Sequence, residues 1–471
     1  AAVEAAAAGD QPVYGITTGF GALASTPIPP PARTELQHAL LRSHAAGMGP
    51  PVPREVVRGM LLLRAVTLTK GYSGVRPLLA QAILDLLNAG ITPLVPTYGS
   101  LGASGDLAPL AHATLCLLGE GQVLGEDGQP LDAGFALARA GLTPLTLEAK
   151  EGLSLLNGTD GMLAMLVLAC TDASRLFQTA DVACAMSVEA LLGTDRPFAP
   201  ELQALRPHPG QARSAANLIR LVDGSPIMAS HRNSDHLIQD AYSERCHPQV
   251  AGAARDTLIF AEQVAERELA AAIDNPVVLP DGRVESTGNF HGEPLAFACD
   301  FLAIAAAEVG AIAERRIDRM LDANRSQGLP PFLASDPGVN SGLMIAQYTA
   351  AALVAENRRL AVPASVDSLP TSGMQEDHVS MGWSAAMKLR HVLENVTRIV
   401  AIEAVCAARA LDLRAPLQPA PATRAVHDLL RTRIPGPGPD HELTPDLATA
   451  EQMVAAGAVL HAAESVTGSL E

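Results

Sequence analysis

The chain has 471 residues and a formal net charge of −17, with 48 % hydrophobic, 18 % charged and only 3 % aromatic residues. This composition excludes a disordered protein and argues against a nucleic-acid binder, which would need basic patches. Few aromatics predict a core of Ala, Leu and Val, which suits closely packed helices better than thick β-sandwiches. The length predicts two domains, or one domain with a long helical extension.

Cysteine usage and the absence of targeting patterns bear on the compartment. The six cysteines form no CxxC pair, and most lie in apolar helical runs, so we expect reduced, buried thiols in a cytoplasmic protein. No signal-peptide pattern and no uninterrupted apolar stretch of membrane length are apparent, so no membrane association is expected. The chain begins with Ala1 and not with Met, so we expect an upstream segment.

The N-terminal third alternates glycine-rich loops with helical patterns. A Gly-rich loop over 14–21 is followed by a proline cluster. The patterns then predict three helices: 33–47, 53–70 and 77–89. After a turn-rich stretch, a helix is predicted from 107 to 118 with Asp106 as its N-cap. Residues 119–146 are predicted to form hairpins and loops, and they are the one region with strand character.

From about residue 147 the patterns are mostly helical. In the segment 295–323, apolar residues such as Val309, Ala313 and Ile317 recur at three- and four-residue spacing and predict one buried stripe. Comparable patterns cover four further segments: 160–180, 250–272, 342–361 and 381–412. The loops between them carry unusual polar residues, as loops that present an active site often do.

The segment Gly99–Asp106 reads GSLGASGD. Taken alone, it is typical of a glycine-rich turn before a helix. A sharper hypothesis is chemical: the amide nitrogen of Gly105, which has no side chain to block it, can attack the carbonyl carbon of Ala103. Loss of two waters, one of them from the Ser104 side chain, would give a five-membered imidazolone with an exposed methylene. That ring is a strong electrophile.

The stretch GSLGASGDLAPLAH (99–112) resembles the signature of the aromatic amino acid ammonia-lyases that use 4-methylideneimidazole-5-one. The resemblance covers essentially the whole chain, and further motifs match in order and spacing: YGITTGFG (14–21), SHAAGMG (43–49), LLNGTDG (155–161), QDAYSERC (239–246), GNFHGEP (288–294) and MQEDHVSM (374–381). Any one of these motifs would be weak evidence, but their coincidence by chance is implausible.

The resemblance implies an all-α, fumarase/aspartase-like fold with two domains. The N-terminal domain (1–158) would carry the Ala-Ser-Gly loop, and the C-terminal domain (159–471) would form a long central helical bundle. It also implies a homotetramer in which each active site is built from three subunits.

The resemblance assigns Tyr14 as the base that removes a β-proton from the substrate. A free phenol has a pKa of about 10, so it needs a nearby positive charge or the prosthetic group to ionise. Arg245 would clamp the substrate carboxylate with two hydrogen bonds. Tyr242, three residues earlier and so on the same side of one helical turn, would lie beside the electrophile, and Gln239 would hydrogen-bond nearby.

The remaining assignments concern the substrate pocket. Asn157 would hold the substrate carboxylate or the imidazolone oxygen, although an Asn there could simply cap a helix. Phe290 would flank the pocket, although it could be plain core. His44 and Glu376 bear on the substrate, because an imidazole ring has one donor and one acceptor, which a His and a carboxylate can satisfy together. In the family, both features mark the histidine-specific branch.

The resemblance therefore implies non-oxidative deamination of L-histidine to urocanate and ammonia. Whether the amine or the ring attacks the electrophile stays open. The alternatives are a tyrosine or other aromatic ammonia-lyase, which Ser43-His44 and Glu376 disfavour, an aminomutase, and a non-catalytic helical scaffold. No HExxH, P-loop, GxGxxG or Cys/His zinc spacing occurs, so neither a metal nor a nucleotide is expected.

Overall fold

The structure is a computed structural model that describes residues 2–9, 11–125, 127–234 and 236–471. Helices dominate it. The first seven are α1 (Ala2–Ala8), α2 (Arg33–His44), α3 (Arg54–Thr69), α4 (Pro77–Asn88), α5 (Leu107–Leu115), α6 (Ala133–Arg139) and α7 (Glu151–Leu156). The next seven are α8 (Asp160–Ala190), α9 (Pro200–Ala204), α10 (Pro209–Val222), α11 (Pro226–Ser230), α12 (Tyr242–Arg245), α13 (His247–Ala270) and α14 (Glu293–Leu321). The last five are α15 (Met344–Leu360), α16 (Gly382–Asp412), α17 (Pro421–Arg431), α18 (Thr444–Ala455) and α19 (Ala458–Thr467).

The predicted helices agree with these bounds to within a few residues, except that α8 continues ten residues past its predicted end. Asp106 occupies the N-cap position of α5 as predicted, but its side chain does not cap that helix. It accepts instead from the backbone N–H groups of Gly161 and Met162 in the first turn of α8, at 2.8 and 2.9 Å. The first turn of any helix leaves such donors without partners in its own helix, so a buried carboxylate from another segment can take them.

Strands are short and form antiparallel pairs. The predicted hairpin region contains β3 (Gln122–Leu124) paired with β4 (Pro130–Asp132), but α6 follows directly in that same region. Two other pairs were missed: β1 (Met48–Pro51) with β2 (Pro96–Tyr98), and β5 (Val277–Val278) with β6 (Val284–Glu285). Two to four residues, several of them proline, give no alternating pattern from which to predict a strand.

The chain forms two compact units, each assembled from separate segments. Unit 1 comprises 1–168, 261–300 and 363–387, and unit 2 comprises 169–260, 301–362 and 388–471. In unit 1, α3 packs against α4, and α2 packs against α5 and α7. The division at residue 158 inferred from the family resemblance stays a prediction.

Helix α14 shows how the apolar stripe is used. Val309, Ala313 and Ile317 are fully buried, as the spacing predicts. One 18-residue window of this helix has a mean hydropathy of 1.9, enough by length and composition for a membrane span. More than half of that window is nevertheless buried inside the protein, and the fully buried Arg316 of the same helix pairs with Glu403. These features fit a core helix.

Candidate active site

The Ala-Ser-Gly loop is held in a backbone conformation that requires glycine. Gly102 and Gly105 have positive φ angles of 65° and 78°. A Cβ added to Gly105 would lie 2.2 Å from the carbonyl oxygen of Gly158, so no side chain fits there. Gly105 forms a parallel bridge with Gly158, and the Asp106 amide donates to the Gly158 carbonyl at 2.8 Å.

The loop 380–381 supports the same turn from another direction. The Ser380 hydroxyl donates to the Gly102 carbonyl at 3.0 Å, and the Met381 amide donates to the Leu101 carbonyl at 2.8 Å. Ala103 and Ser104 are only partly buried, whereas Gly105 is buried. The chain therefore fixes both ends of the triad and leaves its middle accessible.

Asp106 is fully buried directly behind the triad. Burial raises the pKa of this carboxyl to about 7, although the amides of Met162 and Gly161 and the hydroxyl of Ser100 favour its charged form. The Ser100 hydroxyl lies 3.1 Å from the Asp106 carboxylate. Asp106 thus ties the triad loop to the start of α8.

Tyr14 lies in the Gly-rich loop that the sequence singled out. Its hydroxyl accepts a hydrogen bond from the Gly21 amide at 3.1 Å, and its ring packs edge-on against Phe20 with centroids 6.3 Å apart. Burial raises the pKa of Tyr14, and the negative charge of Glu376 raises it further. The surroundings of the phenol therefore favour its neutral form.

His44 closes α2, and its ring orientation is defined by its own helix. Its Nδ1 lies 2.9 Å from the Leu40 carbonyl. Because a carbonyl only accepts, Nδ1 carries the proton in the neutral ring and Nε2 is left as an acceptor. Burial lowers the pKa of His44, while Leu40 and Glu376 act in the opposite direction. Glu376 thus acts electrostatically on both Tyr14 and His44, which places the three in one neighbourhood.

Asn157 follows α7 and is buried. Its side-chain amide donates to the Asn275 carbonyl at 2.7 Å, and its own backbone carbonyl accepts from the Arg64 guanidinium at 2.6 Å. One hydrogen of this side-chain amide is therefore left for a further acceptor. Phe290 is partly buried in the loop between β6 and α14.

The other predicted residues lie in unit 2. Tyr242 and Arg245 share the single turn of α12, and the guanidinium carbon of Arg245 lies 4.7 Å from the Tyr242 ring centroid. Arg245 also donates to the Gln239 side chain at 3.0 Å and to the Asp240 carbonyl at 3.1 Å. The three residues therefore form one cluster, in which Tyr242 is 72 % exposed. Arg245 is partly exposed, and a guanidinium with a free N–H suits a ligand carboxylate.

Sequence reasoning missed the residues that anchor α12. Arg316 is fully buried, donates to the Ser243 carbonyl at 3.0 Å and pairs with Glu403. It also donates to Nδ1 of His247, whose Nε2 lies 2.9 Å from Asp181. The available signal was a charged side chain adjacent to the apolar stripe of a long helix.

A mostly helical fold with a constrained Ala-Ser-Gly loop is the arrangement that the resemblance to the ammonia-lyases predicts. The chain belongs to the aromatic amino acid lyase family, which it matches over residues 1–432.

Individual relatives agree with this assignment. The chain is 62 % identical to a histidine ammonia-lyase of Streptomyces avermitilis over 469 residues, covering 99 % of this chain and 92 % of the relative. It is 51 % identical to a histidine ammonia-lyase of Gloeobacter violaceus, covering 100 % and 91 %.

Solved structures give the same fold. A tyrosine aminomutase from Streptomyces globisporus has a TM-score of 0.95 and 40 % identity, covering 99 % of this chain and 92 % of that one. A histidine ammonia-lyase from Trypanosoma cruzi has a TM-score of 0.90 and 42 % identity, covering 99 % and 88 %. The predicted family, the all-α fumarase-like fold and the ammonia-lyase class are therefore confirmed.

Proposed function

We propose that the protein deaminates L-histidine to urocanate and ammonia without oxidation. The observation that supports the proposal is that the charge of Glu376 raises the pKa of both Tyr14 and His44. The relatives at 51–62 % identity bear the name histidine ammonia-lyase, which supports the same substrate.

The residues of the triad fit a 4-methylideneimidazole-5-one group formed from Ala103, Ser104 and Gly105. Gly105 lies where no Cβ fits, so its nitrogen is unobstructed by a side chain, and Ser104 remains accessible. Once formed, the group would supply an electrophilic methylene that activates the substrate for loss of its amino group. The chain's own contribution is the constrained turn, held by Gly158 and Ser380.

Recognition of the ring follows from the protonation of His44. Its Nε2 and the Glu376 carboxylate are both acceptors, so together they suit an imidazolium, which offers two N–H groups, and not the one donor and one acceptor of a neutral imidazole. A phenyl ring would leave both acceptors unpaired, and a phenol offers one hydroxyl in a different position. Sites built to hydrogen-bond a polar ring reject analogues that lack the partner.

Arg245 would bind the substrate carboxylate, with Tyr242 and Gln239 beside it. This assignment comes from the family resemblance, in which each active site takes residues from three subunits of a homotetramer. Holding the substrate at its carboxylate and its ring would orient the β-carbon toward the base.

Tyr14 would remove the β-proton as the ionised phenolate. Burial and Glu376 both oppose that ionisation, because they raise the pKa of Tyr14. The proposal therefore requires a positive charge that arrives with the substrate or from a neighbouring subunit. We also propose that the protein is cytoplasmic, in keeping with six cysteines that form no disulfide.

The test compares L-histidine, L-tyrosine and L-phenylalanine as substrates of the purified protein, following the ultraviolet absorbance of each unsaturated acid. We expect urocanate to form fastest. Ser104→Ala should lack the imidazolone absorbance, show no loss of two waters by intact mass, and be inactive. Equal turnover by Ser104→Ala, or faster turnover of L-tyrosine, would refute the proposal.

An aminomutase is the second candidate, because a tyrosine aminomutase shares the fold with a TM-score of 0.95. Such an enzyme would return ammonia to the β-carbon. Chromatography of the same reaction mixtures for a β-amino acid separates the two reactions, and we expect urocanate without β-histidine.

A further inference from the structure

Three potential metal ligands meet in unit 1 outside the residues assigned above. His291 and Glu293 flank Gly292 at the start of α14, and His378 lies in the loop before α16. Each offers one ligand atom, and these atoms all lie within 4.8 Å of one another. Nδ1 of His291 is 3.8 Å from the Glu293 carboxylate. Nε2 of His291 is 3.3 Å from both Nδ1 and the carbonyl oxygen of His378.

One atom of this cluster lacks a partner. Oε2 of Glu293 is buried and receives no hydrogen bond from the described part of the chain. A buried carboxylate oxygen without a donor or cation is costly. The His378 side chain on the other side of the cluster is exposed, so the cluster is open to solvent.

We propose that His291, Glu293 and His378 bind one Zn²⁺ ion, with water in the remaining position. Two imidazole nitrogens and one carboxylate are a ligand set that zinc takes in proteins, whereas Mg²⁺ and Ca²⁺ prefer oxygen ligands alone. Zn–N bonds of about 2.0 Å in a tetrahedron place ligand atoms about 3.3 Å apart. Binding therefore draws together ligand atoms that lie within 4.8 Å of one another, by up to about 1.5 Å, and the exposed His378 ring has room to move.

The site would fasten two loops that adjoin the Ala-Ser-Gly turn. A Cβ added to Gly292 would lie 2.9 Å from the Ser380 hydroxyl, so these loops are in close contact. Ser380 in turn donates to the Gly102 carbonyl. The bound ion would therefore act as a structural clamp beside the turn, independently of the deamination reaction.

The test titrates chelator-treated, full-length protein with ZnCl₂ by calorimetry and with CoCl₂ by visible absorption. We expect one ion per chain, cobalt bands typical of mixed nitrogen and oxygen ligands, and no binding of MgCl₂ at the same concentration. Glu293→Gln and His378→Asn should each weaken zinc binding at least ~10-fold. His441→Gln is the matched control, because His441 is an exposed histidine paired with Asp446 elsewhere on the chain.

A second readout is thermal unfolding. Zn²⁺ should raise the melting temperature of the unaltered protein, because a ligand that binds the folded state stabilises it, and should not raise that of Glu293→Gln. Absence of stoichiometric zinc binding would overturn the proposal. So would undiminished affinity in both site variants, or a loss in His441→Gln equal to theirs.

Discussion

At the scale of single residues, Tyr14 and His44 are both partly buried in a way that favours their neutral forms. Burial raises the pKa of the phenol and lowers the pKa of the imidazole, while the charge of Glu376 raises both. The phenol must lose a proton to act as a base, whereas the imidazole is ready to accept an N–H as it stands. Ionisation of Tyr14 is therefore the step that depends on groups beyond its own surroundings.

Tyr14→Phe tests the base directly. The change removes only the hydroxyl, so the triad should still cyclise and keep its absorbance. Turnover of L-histidine should fall by about 10²–10⁴-fold, the usual contribution of a positioned base. Steady-state rates alongside the absorbance spectrum provide the measurement. A variant that retains turnover within a few fold would remove Tyr14 from this role.

Glu376→Gln tests ring recognition with little change of shape. We expect kcat/KM for L-histidine to fall about 10- to 100-fold, because an acceptor for the substrate ring becomes a weaker one. Asp377→Asn, an exposed neighbour, is the control and should behave as the unaltered enzyme. Equal losses in both variants would indicate a general effect of charge.

The same variant makes a pH prediction. Glu376 raises the pKa of Tyr14, so its neutralisation lowers that pKa. A base acts in its deprotonated form, and a group with a lower pKa becomes deprotonated at a lower pH. The rising limb of the kcat/KM profile should therefore shift to lower pH in Glu376→Gln. A shift to higher pH would contradict the assignment of Tyr14 as base.

At the scale of elements, one arginine of α3 organises the backbone behind the site. Arg64 is fully buried, and its guanidinium donates to the carbonyls of Ser154, Asn157 and Ile273 at 3.2, 2.6 and 2.9 Å. It also forms an ion pair with Asp160 at 3.4 Å. One planar group thus connects α3, the end of α7, the start of α8 and the segment after α13.

Arg64→Lys should show that this geometry positions Asn157. Lysine keeps the charge but lacks the planar fork, so some carbonyls lose their donor, at about 1–3 kcal/mol each. We expect the midpoint of unfolding to occur at a lower urea concentration. We also expect kcat to fall by a larger factor than the factor by which KM changes. Arg54→Lys, on the same helix but exposed, is the control. Unchanged kinetics in a destabilised Arg64→Lys would reduce Arg64 to a purely structural role.

At the scale of the whole molecule, unit 2 carries an apolar groove of about 770 Å³. It is lined by Phe260, Phe301 and Ile304, which are 41–46 % exposed. Exposed apolar patches rimmed by polar residues commonly mark protein interfaces. We propose that a second copy of the chain covers this groove in the homotetramer that the family resemblance implies.

Phe260→Asp should weaken that assembly, because it places a charge in an apolar interface. We expect light scattering to show a shift from tetramer toward smaller species at micromolar concentration. Leu205→Asp, which alters an 81 % exposed leucine outside the groove, should remain tetrameric. A tetramer that persists in Phe260→Asp would assign the interface to another surface.

Features that depend on neighbouring residues along the chain could be predicted from the residues alone. Helices appear close to where the apolar spacing predicts them, and Tyr242 and Arg245 meet because three residues make one helical turn. The residues of the Ala-Ser-Gly triad are consecutive, so their cyclisation could also be predicted without knowledge of the fold. The motif order then identified the family.

Features that depend on segments far apart in the chain were established by the packing of those segments. That packing turned Asp106 toward α8, buried Arg64 and Arg316 as anchors, and brought His291 to His378 across 87 positions of sequence. It also set the direction in which the pKa values of Tyr14 and His44 move, because desolvation depends on what packs around a group. Local hydrogen bonds and helical periodicity depend on residues that are close together in the chain. Burial and long-range pairing exist only once distant segments have packed together.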